Sequence, residues 1–262
     1  MGRQFRWLLL IVWTVAGATR AADETPGKPL FPLDPGLRWS YEDTQKVEQI
    51  QGQRTNVTYV TGTVNEEIFR APPQYRDNAN VVLLRSTFKR QSESGKPEDV
   101  SSGGFVQLLE WHGSDLYLHG IRVWIEGSYS EDMNLYDPPF LYLKGAARVD
   151  ESWTVGTQRI MGVRMPTLAT MDGLETVTVP AGTFSNCVKV SYVTWKMSGV
   201  VDTPNGKLLV QDGNARDIVW FAKGIGIVKE SQLKTTVYAT GQGSTVTREE
   251  DTKLLESHTL VK

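Results

Sequence analysis

The chain's single cysteine, Cys187, lies in TVTVPAGTFSNCVKVSY (176–192) and is the first residue whose chemistry needs an account. A nucleophilic thiol requires its pKa to be lowered by a histidine, a cation or a helix N-terminus. The three histidines, His112, His119 and His258, are remote from it in sequence, and its flanks alternate in the manner of a strand. Cys187 is therefore expected to be core filling, since free cysteine is among the most buried residue types. With one cysteine, no internal disulfide can form.

Glu110, His112 and His119 fall on one predicted hairpin and form the chain's best candidate metal set. Zinc takes three or four converging ligands, so all three side chains would have to meet. Glu110 and His112 share a strand face, while the position of His119 depends on a register that sequence does not give. A metal-dependent hydrolase on these residues is carried as an alternative; no metal or other cofactor is assigned. Gly224-Ile225-Gly226 invites a nucleotide-loop reading, but that loop must open a helix facing phosphate. IVKESQLKTTVY, which follows, continues as a strand, so Gly224 and Gly226 are expected in a tight turn. No G-x-S-x-G elbow, H-E-x-x-H or P-loop occurs, and no catalytic residue is assigned.

Eight tryptophans are many for 262 residues. Trp111, Trp124, Trp153, Trp195 and Trp220 fall on predicted strands, where aromatics favour the half-buried pleated surface. One reading is sheet packing. The other is an aromatic-lined concave face holding a lipid, glycan or peptide, with Trp111, Trp124, Trp195 and Trp220 as its candidate ligand-binding residues.

The elements that would carry these residues read as turn-punctuated strands. Val82, Leu84 and Phe88 alternate with polar neighbours. Phe105 to Trp111 and Leu116 to Ile125 flank a hairpin turn at 112–115, and Asn205-Gly206 is a second hairpin signal. Val179-Pro180-Ala181-Gly182-Thr183 fits a three-residue hairpin loop in which Gly182 takes a positive φ. GTVNEEIFRAPPQY (62–75) holds one short helix at most. PGLRWSYE (35–42) and RVDESWTVG (148–156) each begin a strand with tryptophan, which suggests a two-part architecture. Pro138-Pro139 reads as a linker between the parts. The charged run STVTREEDTKLLESHTLVK (244–262) is expected to be an edge strand pairing across Gly241-Gln242-Gly243, its charges opposing aggregation.

Arg3 and Arg6, the apolar run Trp7 to Val15, and small residues to Ala22 have the order of a secretory signal peptide. The apolar run is about half the roughly 20 residues of a membrane span. Residues 1–22 are read as the signal, 23–34 as an extended segment, and 35–262 as one antiparallel β domain. The net charge of −2 includes three arginines and no acid in the signal, so the remainder carries −5. That charge gives no electrostatic case for nucleic acid or an anionic membrane. Asn56-Val57-Thr58 is a glycosylation sequon only in a eukaryotic secretory route.

ETVTVPAGTFSNCVKV (175–190) followed by VWFAKGIGIVKE (219–230) resembles the paired signature of the TapB-like family of uncharacterised exported or lipid-anchored bacterial envelope proteins. Pro180, Gly182, Phe184, Cys187, Gly224 and Gly226 carry the motif. FPLDPGLRWSYE and YDPPFLYLKG are also similar to that family, so the resemblance spans most of the chain beyond residue 22. It implies an open, curved antiparallel sheet or half-barrel and no activity. This chain lacks the lipobox cysteine, so no lipid anchor is expected. The sequence thus predicts an all-β, periplasmic or secreted, non-catalytic module that binds an envelope ligand or protein partner. A purely structural envelope component is a further alternative.

Overall fold

The structure, a computed structural model, describes residues 29–75, 80–93, 100–126, 129–130, 132–203, 206–240 and 243–259. The signal segment, Asn205 and Gly241-Gln242 lie outside the described residues. Fourteen strands form one antiparallel sheet among these residues. They are β1 (Arg38–Gln51), β2 (Arg54–Arg70), β3 (Val82–Ser92), β4 (Val100–His112), β5 (Asp115–Ile125), β6 (Tyr129–Ser130) and β7 (Asn134–Lys144). The second set is β8 (Ser152–Ile160), β9 (Val163–Val179), β10 (Gly182–Thr194), β11 (Ser198–Thr203), β12 (Gly206–Ala222), β13 (Gly226–Thr240) and β14 (Gly243–Thr259).

Each set is a meander, and the two join where β14 pairs with β1, from Arg38 opposite Thr259 to Ile50 opposite Val246. β10 and β11 lie end to end between β9 and β12. Bulges at Leu108/Leu109, Thr154/Gly156 and Trp220/Phe221 bend the strands as extra residues do. The sheet consequently curls into a partial ring. Its inner face packs Tyr41, Leu84, Leu109, Leu118, Leu143, Val155, Tyr192, Phe221 and Leu255 into one core. The all-β, open-sheet reading is the architecture observed.

β7 and β8 face each other without a backbone ladder. Side chains span the gap instead: Asn134 Nδ2 donates to Arg159 O at 2.7 Å. Further in, the Tyr192 hydroxyl of β10 donates to Tyr142 O of β7 at 3.1 Å, with the two tyrosine rings stacked at 5.4 Å. Phe140 covers Gly156 so closely that a Cβ there would stand 2.5 Å from the ring. At one end, Phe31 of the N-terminal segment stacks on Trp39 at 5.4 Å and accepts the Trp111 indole N–H on its carbonyl at 2.8 Å.

Several expectations need correction. Pro138-Pro139 is not a linker: it lies inside β7, whose register against β5 jumps from Leu135 opposite Gly120 to Phe140 opposite Leu118. The bow fits an outer strand, where proline leaves no ladder partner unmet. The segment 62–75 is mostly β2, followed by a single 3-10 turn at Pro73–Tyr75. The charged run 244–259 is no edge; β14 is paired on both sides, to β13 and to β1. The loop after Val179 has two residues rather than three, since Gly182 pairs Val179. Gly182 nevertheless holds φ at 135°, a region that L side chains avoid.

Open space around the Gly182 Cβ position isolates that backbone effect. Gly182→Val is expected to lower stability by about 1–3 kcal/mol. Thr183→Val, one residue on at an exposed strand position, should lose far less. Urea midpoints of the two variants test this, and equal losses would rule out strain at Gly182.

Candidate functional site

β14 turns Glu249, Asp251, Lys253 and Leu255 towards the interior and leaves Arg248, Glu250 and Glu256 exposed, so part of its charge faces the ring. Lys253 Nζ lies 3.0 Å from Glu66 Oε1 on β2 and 2.9 Å from Glu230 Oε2 on β13. Its ammonium also sits 4.5 Å from the centre of the Tyr41 ring on β1. The Tyr41 hydroxyl is 3.2 Å from both Glu66 Oε2 and Ile227 O. Burial opposes the charge on Lys253, which is 8% exposed, but Glu230 and Glu66 outweigh it and hold the pKa well above its ordinary value.

A second group lies further along the same face. Arg90 on β3 donates Nε to Asp43 Oδ2 and a terminal nitrogen to Asp251 Oδ2, the latter at 2.8 Å. Burial and the neighbouring Asp43 push Asp251 up to about 7. On β12, burial and then Glu230 push Asp217 up to about 7, against the Gln232 amide that donates to it at 2.6 Å. Burial is the main reason both carboxyl groups are raised, and the neighbouring acids add to it.

These groups border a cavity of about 360 Å³ enclosed by strands from both ends of the sheet. Phe105, Val123, Ile160, Met165 and Met197 form its apolar wall; Asp217, Glu230, Gln232 and Lys253 form its polar one. The volume falls in the roughly 300–1,000 Å³ range of small-molecule sites. A smaller chamber of about 120 Å³ adjoins it and shares Phe105, Glu230, Gln232 and Lys253.

The four candidate tryptophans do not converge, and none lines this cavity. Trp111 packs against the core beside Phe31. Trp124 lies over Gly104, where a Cβ would stand 2.8 Å from its ring. Trp195 follows β10 and is 41% exposed. Trp220 is buried, donates its indole N–H to Glu175 at 2.7 Å, and has the ammonium groups of Lys189 and Lys229 over its ring.

Glu110 and His119 do meet, at 2.9 Å, because the Leu108/Leu109 bulge leaves His119 as the extra residue of β5. His112 stands apart, exposed and edge-on to Tyr117. Among the described residues, no group of three His, Cys, Asp or Glu side chains is placed to hold a metal.

Cys187 is wholly buried behind a bulge in which Asn186 takes φ of 55°. Its thiol lies 3.3 Å from Phe184 O, and burial pushes its pKa up to about 11. Gly224 and Gly226, with φ of 75° and 101°, form the turn between β12 and β13. A Cβ on Gly226 would come within 3.0 Å of Phe31. The Gly224 N–H donates to Pro29 O at 2.9 Å, and Trp39 donates its indole N–H to Ile225 O at 2.7 Å. This turn therefore anchors the N-terminal segment. The motif residues build two turns and part of the core: Pro180, Gly182, Phe184 and Cys187 at the β9–β10 turn and on β10, and Gly224 and Gly226 between β12 and β13, which bear Asp217 and Glu230.

No protein-family model and no curated protein sequence matches the chain. The resemblance to TapB-like proteins therefore stands on its motif residues alone. Among solved structures, the chain is similar to a candidate exported protein with a YMCC-like fold from Bacteroides fragilis NCTC 9343. That pair is 14% identical with a TM-score of 0.39, over 89% of this chain and 100% of that one. It is also similar to a candidate lipoprotein from Parabacteroides distasonis ATCC 8503, 13% identical with a TM-score of 0.38, over 88% of this chain and 99% of that one.

Two measurements check the site. A thiol reagent should modify Cys187 slowly in the folded protein and fully in denaturant; rapid native labelling at neutral pH would contradict its burial. Asp217 and Asp251 are raised from an ordinary 3.8, so between about pH 4 and 7 the folded chain holds more protons on them than the unfolded chain. Their contribution to stability is present below that window and declines as pH rises through it. Asp217→Asn should flatten this decline in urea titrations. A wild-type profile in that variant would show that Asp217 is not the group titrating.

Proposed function

We propose that the chain is a non-catalytic binding module of the bacterial envelope that takes a small amphiphilic molecule into its inner cavity. The cavity of about 360 Å³, apolar on the β4, β5, β8 and β9 side and ionic on the β12, β13 and β14 side, carries the reading. A purely apolar molecule would leave Asp217 and Gln232 facing hydrocarbon, and a sugar would leave Met165, Met197 and Ile160 without apolar contacts. An amphiphile satisfies both walls. The export order of residues 1–22 supports the envelope location. The same location is what the TapB-like motif residues imply.

Ala215 lines the cavity from β12 and is buried, so a larger side chain there would occupy the ligand's volume. Native mass spectrometry of the protein purified from cells without detergent is expected to retain a small-molecule adduct. Ala215→Phe should lose it while keeping the β circular-dichroism signal, at a cost of about 1–3 kcal/mol for overpacking. Absence of any adduct, together with no uptake of an added amphiphile such as decan-1-ol, would overturn the reading.

A further inference from the structure

The smaller chamber is short of positive charge, and it contains polar atoms with nothing to bind. Around it, the carboxyl groups of Asp43, Glu66, Glu230 and Asp251 meet two cations, Lys253 and Arg90. Asp251, pushed up to about 7, is partly protonated at neutral pH, and the other three still outnumber the cations. Arg90 serves one oxygen of Asp43 and one of Asp251, while Lys253 is divided between Glu66 and Glu230. Asp43 Oδ1 is left with no hydrogen-bond partner although the residue is 2% exposed. Ser86 Oγ, on a residue 1% exposed, has none either. Both residues line the chamber. Buried polar groups without partners are costly, and two lining one chamber point to a ligand with hydrogen-bond donors.

We infer that this chamber receives the ammonium head of the amphiphile, with Asp43 Oδ1 and Ser86 Oγ accepting its N–H donors and the tail lying in the adjoining cavity. This rests on the proposed function and specifies its ligand class: an organic cation bearing a primary amine. A phosphate or carboxylate head would add negative charge where acids already outnumber bases. A metal ion would need three converging ligands, which the described residues do not provide. A primary ammonium matches because its three N–H donors spread over separate acceptors. The chamber, about 120 Å³, exceeds the roughly 10–15 Å³ that one water needs. Its shared wall at Phe105, Glu230, Gln232 and Lys253 connects the head position to the tail position.

The experiment compares decylamine, decan-1-ol and decanoate, equal in chain length, by calorimetric titration of the full protein at one salt concentration. Decylamine is expected to bind about tenfold tighter than decan-1-ol or better, the gain of one or two charge-assisted hydrogen bonds, and decanoate more weakly than either. Ser86→Ala should reduce the amine preference and leave decan-1-ol affinity unchanged. Asp43→Asn should reduce it further, with far-UV circular dichroism verifying the fold. Equal affinity for all three probes would overturn the ammonium assignment and leave the cavity reading standing. So would an amine preference untouched by both substitutions. Binding of none would overturn both.

Discussion

Lys253 fastens four neighbouring strands through one buried charge. It projects from β14, its carboxylate partners Glu66 and Glu230 come from β2 and β13, and Tyr41 from β1 lies beneath its ammonium. Taking such ions out of water is expensive, and their attraction repays the cost only while every partner is in place. Loss of one partner from a buried pair typically costs 3–5 kcal/mol. The cluster sits where the two meanders join, so the seating of β14 against β1 and the polar wall of the cavity depend on the same contacts. Glu230, which adds to the effect of burial on Asp217, belongs to the same cluster.

Closure on the far side is of another kind. β7 and β8 share no ladder; an amide on a carbonyl and Phe140 against Gly156 hold the gap, and a tyrosine stack ties β7 to β10. Side chains can bridge an angle that backbone pairing cannot, and this leaves an interior wide enough for a cavity. Phe31 and Trp39, held to the 222–226 turn, fill one end of it. The glycine at 226 is required because the Phe31 ring occupies the space a side chain would take.

Strand existence was legible because alternation at Val82, Leu84 and Phe88, and turn chemistry at Gly113 and Gly182, are local. The hairpins of β4 with β5 and of β13 with β14 were legible for the same reason, but the closure of β14 on β1 was not, because its two strands stand at opposite ends of the described chain. β14 shows why: Glu249, Asp251 and Lys253 alternate as a solvated strand would, and only Glu66, Glu230 and Arg90 on other strands make their face an interior. The same limit hid the site. Tryptophan frequency drew attention to side chains that the curl distributes among core, turn and outer positions. The polar residues that line the cavity and its adjoining chamber, Asp217 in the one and Asp43 and Ser86 in the other, are ordinary in any strand. The signal available was the density of charge in 244–259, since a paired central strand with inward charges must neutralise them. Glu110 meeting His119 also required a bulge, which sequence patterning does not announce.

The pairing of residue 38 with residue 259 has a consequence for how the molecule is made. The entropic cost of loop closure grows only slowly with length, but topologies rich in such distant contacts fold slowly. A nascent chain emerging from the ribosome reaches its last strand only at the end of synthesis. Until then β1 has an open flank, and Glu66 and Glu230 lack the lysine that neutralises them. The hairpins of each meander are local and can pair early, but the closure of β1 on β14 must wait for the last strand. For that interval the chain stays without its tertiary lock, a state suited to handling by chaperones and to threading through a narrow pore.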